Sequence, residues 1–151
     1  MDATERQEAL ARLDVLVGEW AVEADFPGLE VPPGRCVFEW TLDGQFLLQR
    51  MEAPNPAPNS TAIIAVDGEA GGYKQHYYDS RGVVRLYAMT FTDGLWQLLR
   101  ENPDFSPLDF RQRYTGTLSG DGDTIHGAWK IAKGESAAWE RDFTLTYRRI
   151  R

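Results

Sequence analysis

The stretch that decides the fold is VVRLYAMTFTDGLWQLLRE, residues 83–101. Two runs rich in β-branched and aromatic residues flank Asp93-Gly94, a dipeptide typical of tight β-hairpin turns. The same pattern occurs earlier in the chain, where Asp43-Gly44 separates residues 35–42 from residues 45–52. Both stretches therefore predict pairs of neighbouring antiparallel strands.

Similar runs extend in both directions from these hairpins, and Gly-, Asp- and Ser-containing turns separate them. No helical pattern lies between the runs, which excludes parallel βαβ folds. Successive hairpins favour an up-and-down meander that removes its edges by closing, so we expect an all-β antiparallel barrel rather than a sandwich. The predicted strands, about ten in number, cover residues 19–26, 35–42, 45–52, 61–66, 73–79, 83–92, 95–101, 110–118, 124–132 and 139–150.

The N-terminal segment carries a helical pattern. Thr4 and Gln7 match a capping box, and Gly18 is suited to end a helix. We expect a short helix over about residues 4–17 that covers one mouth of the barrel or packs beside its first strand. The barrel then occupies about residues 18–150, and the 151 residues form one domain. The apolar positions at helical spacing are Leu10, Leu13, Leu16 and Val17.

Composition narrows the class of protein. The net charge of −7 disfavours nucleic acid as a partner. The single cysteine, Cys36, excludes an internal disulfide and favours a reducing compartment. The opening MDATERQEAL lacks the apolar run of a signal peptide, and no stretch approaches the roughly 18 apolar residues of a membrane span. We therefore expect a cytoplasmic protein without a membrane partner.

Four segments carry a resemblance to known proteins. Gly18-Glu19-Trp20 resembles the Gly-x-Trp signature of calycins, in which the Trp plugs the closed end of the barrel. Residues 38–40 together with 43–48, residues 75–83 and residues 120–129 are similar to an uncharacterised bacterial family of lipocalin-like proteins, a domain of unknown function. The resemblance covers most of the chain and implies the fold, with a structural role for Trp20, but no activity.

The nitrobindins, which bind haem in a barrel of this kind, share the architecture in a more distant way. Their Gly-rich pattern after the first Trp is replaced here by residues 21–24, AVEA, and their haem-ligating His has no counterpart near the C-terminus. We therefore expect no haem and no other cofactor. His76 and His126 have no third partner at metal spacing, which argues against a structural zinc site.

The densest chemistry lies in residues 74–81, KQHYYDSR. His76 with Tyr78 or Asp79 would form an acid–base pair for isomerase, cyclase or hydratase chemistry if these side chains face the cavity. In the alternative interpretation, strand alternation turns His76 away from the apolar face, and Asp79 only fixes a β-turn together with Arg81. The sequence leaves both open, and no catalytic triad follows from spacing.

A lone cation on an apolar strand face must be paired or must meet an anion. Arg141 and Tyr147 share the predicted inward face of the last strand, and Arg85 with Tyr87 forms a second such pair. Fatty-acid-binding proteins, which the architecture resembles, hold a ligand carboxylate with inward Arg and Tyr. In the alternative, Arg141 reaches an acidic side chain at the rim. Two further residues, Arg50 and Gln112, are candidates for the cavity lining.

Our leading hypothesis is a protein that binds a small apolar or amphipathic molecule, with or without a carboxylate, inside the barrel. An enzyme that uses the residues around His76 is the second hypothesis. The third is a scaffold that forms a homodimer through a sheet face or through the N-terminal helix.

Overall fold

The computed structural model describes residues 1–135 and 138–151. Ten antiparallel strands follow one another in chain order and close into a barrel, in which β1 pairs with β10. The predicted fold class is therefore confirmed. The elements are α1 (Ala3–Arg12), a 3-10 helix (Leu13–Leu16), β1 (Gly18–Asp25), β2 (Gly34–Thr41), β3 (Phe46–Glu52), β4 (Ser60–Val66), β5 (Tyr73–Asp79), β6 (Val84–Thr92), β7 (Leu95–Arg100), β8 (Phe110–Leu118), β9 (Thr124–Lys133) and β10 (Glu140–Arg149).

The hairpin at Asp93-Gly94 has the geometry that its sequence predicts. Asp93 has a φ of 53° and Gly94 has a φ of 77°, the left-handed values that a tight two-residue turn requires. The other hairpin has a wider turn, because Leu42 also adopts a positive φ, of 50°, and leaves the strand. Strand β2 therefore ends one residue before the predicted position.

The N-cap of the helix lies two residues earlier than the sequence pattern indicates. Asp2 is the N-cap and accepts a hydrogen bond of 2.8 Å from the backbone N–H of Glu5, whose side chain accepts one from the N–H of Asp2. The predicted box at Thr4 and Gln7 is therefore wrong. Two carboxylates near the positive end of the helix dipole favour the earlier start.

One end of the barrel is closed by α1 and the 3-10 helix. Leu13 and Leu16 are 0% exposed, and the indole N–H of Trp20 donates to the carbonyl oxygen of Leu16 at 2.9 Å. The guanidinium of Arg149 lies 4.2 Å from the ring centroid of Trp20 and donates to the carbonyl of Val17. The helix thus covers one mouth, and Trp20 lies in the floor beneath it.

At the opposite end, residues of the β1–β2 and β3–β4 loops lie beside an opening. The loop between β7 and β8 is fastened by Arg100 and Asp104, which form a salt bridge of 2.8 Å with side chains only 3% and 2% exposed. Asp104 also accepts from the backbone N–H of Leu86 on β6. Hydrogen bonds from Arg100 hold the pKa of Asp104 well below its ordinary value, against the effect of burial. The ion pair therefore fixes this part of the rim.

In the part of the chain that the structure describes, no helix combines the length and the apolar character that a membrane crossing requires.

Candidate ligand-binding cavity

A cavity of about 590 Å³ opens between the loops at the open end of the barrel. This volume lies within the range of small-molecule sites. Each strand from β5 to β10 contributes at least one aromatic side chain to its lining. Six of these rings, one from each strand, form a set in which each ring contacts at least one other, with centroid distances from 5.2 to 6.5 Å. We call this set the aromatic wall: Tyr77, Tyr87, Trp96, Tyr114, Trp129 and Tyr147.

Tyr114 reaches across β9 to hold the aromatic wall in place. Its hydroxyl donates to the carbonyl oxygen of Leu145 on β10 at 3.1 Å. Gly116 and Gly127 lie directly opposite each other on β8 and β9, and their missing side chains leave the space in which the phenol ring lies. Burial raises the pKa of Tyr114, so the hydroxyl remains a donor.

Two buried amides face the cavity near its floor. Gln75 donates from Nε2 to Oε1 of Gln49 at 3.1 Å, and Gln49 donates from Nε2 to the hydroxyl oxygen of Tyr147 at 3.4 Å. Sequence reasoning missed both amides. The sequence does contain a signal for Gln49, because this residue alternates with Leu47 and Met51 in a strand whose inward face is otherwise apolar.

Arg85 lies half-buried in the lining near the opening, with its guanidinium carbon 5.8 Å from the ring centroid of Phe110. Among the described residues, no carboxylate forms an ion pair with it. Tyr87 lies deeper and donates to Oε1 of Gln112 at 3.3 Å. Burial raises the pKa of Tyr87, and the positive charge of Arg85 acts in the opposite direction. The structure thus brings Arg85, Tyr87 and Gln112 together in one cavity with Tyr147.

Arg141 does not join them. The register of β9 and β10 pairs Arg141 with Lys130 but Phe143 with Trp129, so Asp142 is an extra residue at a β-bulge. A shift of one residue turns a side chain to the other face of a sheet. Arg141 is therefore exposed on the outside, and the predicted inward pair of Arg141 with Tyr147 is wrong.

Arg50 also lies outside the cavity. It is exposed on the outer face of β3 and forms a salt bridge of 2.7 Å with Glu39, while its neighbour Gln49 occupies the inward position. The expectation that Arg50 lines the cavity is corrected by this alternation.

The predicted acid–base pair does not assemble in the cavity. His76 and Tyr78 are exposed on the outer face of β5. The side chain of Asp79 is turned inward but is occupied, because it accepts from the Tyr77 hydroxyl at 2.9 Å and from Arg81 at 2.7 Å. Burial raises the pKa of Asp79, but these hydrogen bonds outweigh it and the pKa is lowered. Asp79 therefore fixes the β5–β6 turn, as the alternative interpretation has it.

Cys36 is completely buried, and burial raises the pKa of its thiol to about 12. It is therefore not a nucleophile in the folded protein. Within residues 1–135 and 138–151, no three His, Cys, Asp or Glu side chains form a group that could hold a metal ion. The expected absence of haem and of other cofactors stays a prediction.

A comparison of the chain with protein-family models finds no match, and neither does a comparison with curated proteins. The closed ten-stranded barrel is consistent with a lipocalin-like or calycin-like architecture. Membership of the bacterial lipocalin-like family stays a prediction.

Proposed function

We propose that this protein binds a small amphipathic molecule inside the barrel, with an anionic group of the ligand beside Arg85. The observation that carries the proposal is the position of Arg85, a cation without a carboxylate partner among the described residues, in a cavity with an aromatic wall.

A half-buried guanidinium loses part of its hydration, and an anion compensates for that loss with charge-assisted hydrogen bonds. The neighbouring groups suit a carboxylate or a sulfonate, since Tyr87 and Gln112 bring further polar atoms to the same part of the lining. The apolar part of the ligand would lie against the aromatic wall, where the burial of apolar surface stabilises it.

The proposal can be tested with anilinonaphthalene sulfonate, a fluorescent aryl sulfonate, and with two competitors that differ in charge. We expect phenylbutyrate to displace the probe from the wild-type protein. Arg85→Gln should weaken phenylbutyrate by about tenfold or more, because a hydrogen bond to a charged group is lost. Phenylbutanol, which has the same apolar part and no charge, should be affected little.

Arg50→Gln is the matched control, since Arg50 lies on the outer face of the barrel and pairs with Glu39. It should leave both affinities unchanged. Equal loss of phenylbutyrate binding in the two variants would show that net charge, rather than an anionic site at Arg85, governs binding. An unchanged affinity in Arg85→Gln would reject the role of this residue.

The enzyme hypothesis has no support from the positions of His76 and Tyr78, both of which are exposed on the outer face. The homodimeric scaffold, the cytoplasmic location and the absence of a nucleic-acid partner stay predictions.

A further inference from the structure

The hydrogen bonds near the floor of the cavity run in one direction. Gln75 donates to Gln49, and Gln49 donates to the hydroxyl oxygen of Tyr147. Tyr147 therefore receives a hydrogen bond at its oxygen and still has its own hydroxyl hydrogen to donate. Throughout residues 1–135 and 138–151, no protein atom accepts that hydrogen.

The surroundings of this hydroxyl make the missing acceptor costly. Tyr147 is 3% exposed, and its ring contacts those of Trp96 and Tyr114 at centroid distances of 5.6 and 6.5 Å. Burial raises the pKa of Tyr147 well above its ordinary value, so the hydroxyl keeps its hydrogen. Water can accept the hydrogen bond while the cavity holds no ligand, but a ligand that expels the water must supply an acceptor itself.

Hydrogen-bond donors without an acceptor among the described residues also occur at the upper level of the cavity, nearer its opening. Tyr87 donates to Oε1 of Gln112, which leaves the Nε2 hydrogens of Gln112 without an acceptor in the described part of the chain. Arg85, close by, has donors only. Both levels of the cavity therefore favour a ligand that brings hydrogen-bond acceptors.

The depth of the cavity limits the size of the ligand. Phe143 near the opening and Tyr147 near the floor are four positions apart on β10, which corresponds to roughly 13 Å along the strand. The aromatic wall, which includes Tyr147, lines the cavity and suits a flat ring, since aromatic pairs gain from stacked and edge-to-face contacts.

We infer that the ligand is a compact aromatic acid with a second, uncharged acceptor, a carbonyl-type oxygen, which binds at the Tyr147 hydroxyl. The anionic group faces Arg85 and the ring lies against the aromatic wall. The inference rests on the proposed function, because it requires the cavity to hold an amphipathic ligand. It adds the orientation of that ligand and the chemistry of its inner end.

Two probes that differ in a single group test the inference: para-acetylphenylpropionate and para-ethylphenylpropionate. Their affinities are measured by displacement of anilinonaphthalene sulfonate. We expect the acetyl compound to bind about three- to tenfold more tightly to the wild-type protein, as one additional hydrogen bond would give. Tyr147→Phe should abolish this preference, because it removes only the hydroxyl group.

Tyr73→Phe is the matched control. It removes a buried hydroxyl that lies outside the cavity lining and already donates to the carbonyl of Ala9 at 2.6 Å. The preference for the acetyl compound should therefore persist in this variant. Circular dichroism of each variant establishes that the barrel is folded before the affinities are compared.

A measurement on the wild-type protein supports the test if Tyr147→Phe does not fold. The infrared stretching frequency of the acetyl carbonyl should decrease on binding when its oxygen accepts a hydrogen bond. An unchanged frequency, equal affinities of the two probes, or a preference that survives in Tyr147→Phe would overturn the inference.

These outcomes separate the inference from the proposed function. If both probes bind equally and their binding depends on Arg85, the proposed function stands and the second acceptor is rejected. If the aryl sulfonate and both acids fail to bind, the proposed function and the inference are rejected together. If the sulfonate binds and neither acid displaces it, the inference alone is overturned.

Discussion

Replacement of Gly127 by Ala is expected to destabilise the barrel, because the new side chain would occupy the space of Tyr114. A Cβ atom at this position would overlap the Tyr114 hydroxyl and would lie 2.7 Å from ring atom Cε1. The ring has little freedom to move away, because Tyr114 is 1% exposed and its hydroxyl is bound to Leu145. Either the strands separate, or the phenol swings into the cavity and loses that hydrogen bond.

The expected cost has two parts. Overpacking of a close-packed interior costs about 1–3 kcal/mol, and loss of the hydrogen bond to the Leu145 carbonyl adds about 1 kcal/mol. The free energy of unfolding should therefore fall by about 2–4 kcal/mol, which is a large part of the roughly 5–15 kcal/mol that stabilises a typical domain. A phenol displaced into the cavity would also weaken the binding of the aryl sulfonate.

Urea denaturation followed by tryptophan fluorescence measures this change. Gly120→Ala is the control, because a Cβ there would meet no atom within 4 Å, and its effect should stay within about 0.5 kcal/mol. A double-mutant cycle with Tyr114→Leu identifies the cause, because a smaller, flexible side chain should relieve most of the overlap. A cost for Gly127→Ala below about 0.5 kcal/mol, or an equal cost in both backgrounds, would refute the reasoning.

Two further predictions concern groups outside the cavity. Asp104→Asn leaves the buried guanidinium of Arg100 without its counter-charge and should lower the free energy of unfolding, measured in urea, by about 3 kcal/mol. Glu39→Gln breaks an exposed ion pair and should change the free energy of unfolding by less than about 1 kcal/mol. Because the folded-state pKa of Asp104 is lowered, the stability that its carboxylate contributes is fully present above the unfolded pKa of about 4 and is lost as the pH falls below that value. This prediction is contradicted if acid lowers the free energy of unfolding of the wild-type protein no more than that of Asp104→Asn. Cys36 should resist aromatic disulfide reagents in the native protein and react at the rate of unfolding, since its thiol is fully buried with a pKa of about 12; rapid labelling under native conditions, monitored by absorbance, would show that the thiol is accessible.

The strands could be predicted because their signals are local. The turn at Asp93-Gly94 and the alternation of apolar residues around it lie within one hairpin, so they can be interpreted without knowledge of the rest of the fold. The first residue of the helix could not be predicted in this way, since Asp2 with Glu5 and Thr4 with Gln7 both resemble a capping box. The hydrogen bonds of Asp2 in the structure decide between them.

The cavity depended on information that local patterns do not carry. Apolar residues alternate regularly along the last strand in the sequence, and nothing in this pattern marks a bulge. The bulge at Asp142 turns the Arg141 side chain to the outer face of β10. Gln49 meets Tyr147 across a separation of 98 positions in the chain, so its role as a hydrogen-bond partner emerges only when the barrel closes. Arg85 and Tyr87 line the cavity, since β6 has no such irregularity, and their role in ligand binding stays a prediction.

The pairing of β10 with β1 has a consequence for the order of folding. The hydrogen bond from Arg149 to Val17 joins residues 132 positions apart, and contacts between such distant segments are slow to form because a long loop must first be closed. Until β10 is in place, β1 and β9 each present an unpaired edge, which is prone to association with other chains. The same strand supplies Phe143 and Tyr147 to the cavity. A molecule that binds the closed cavity would therefore promote folding. It stabilises the closed barrel relative to the aggregation-prone open form, and the population of the closed form rises with the concentration of the ligand.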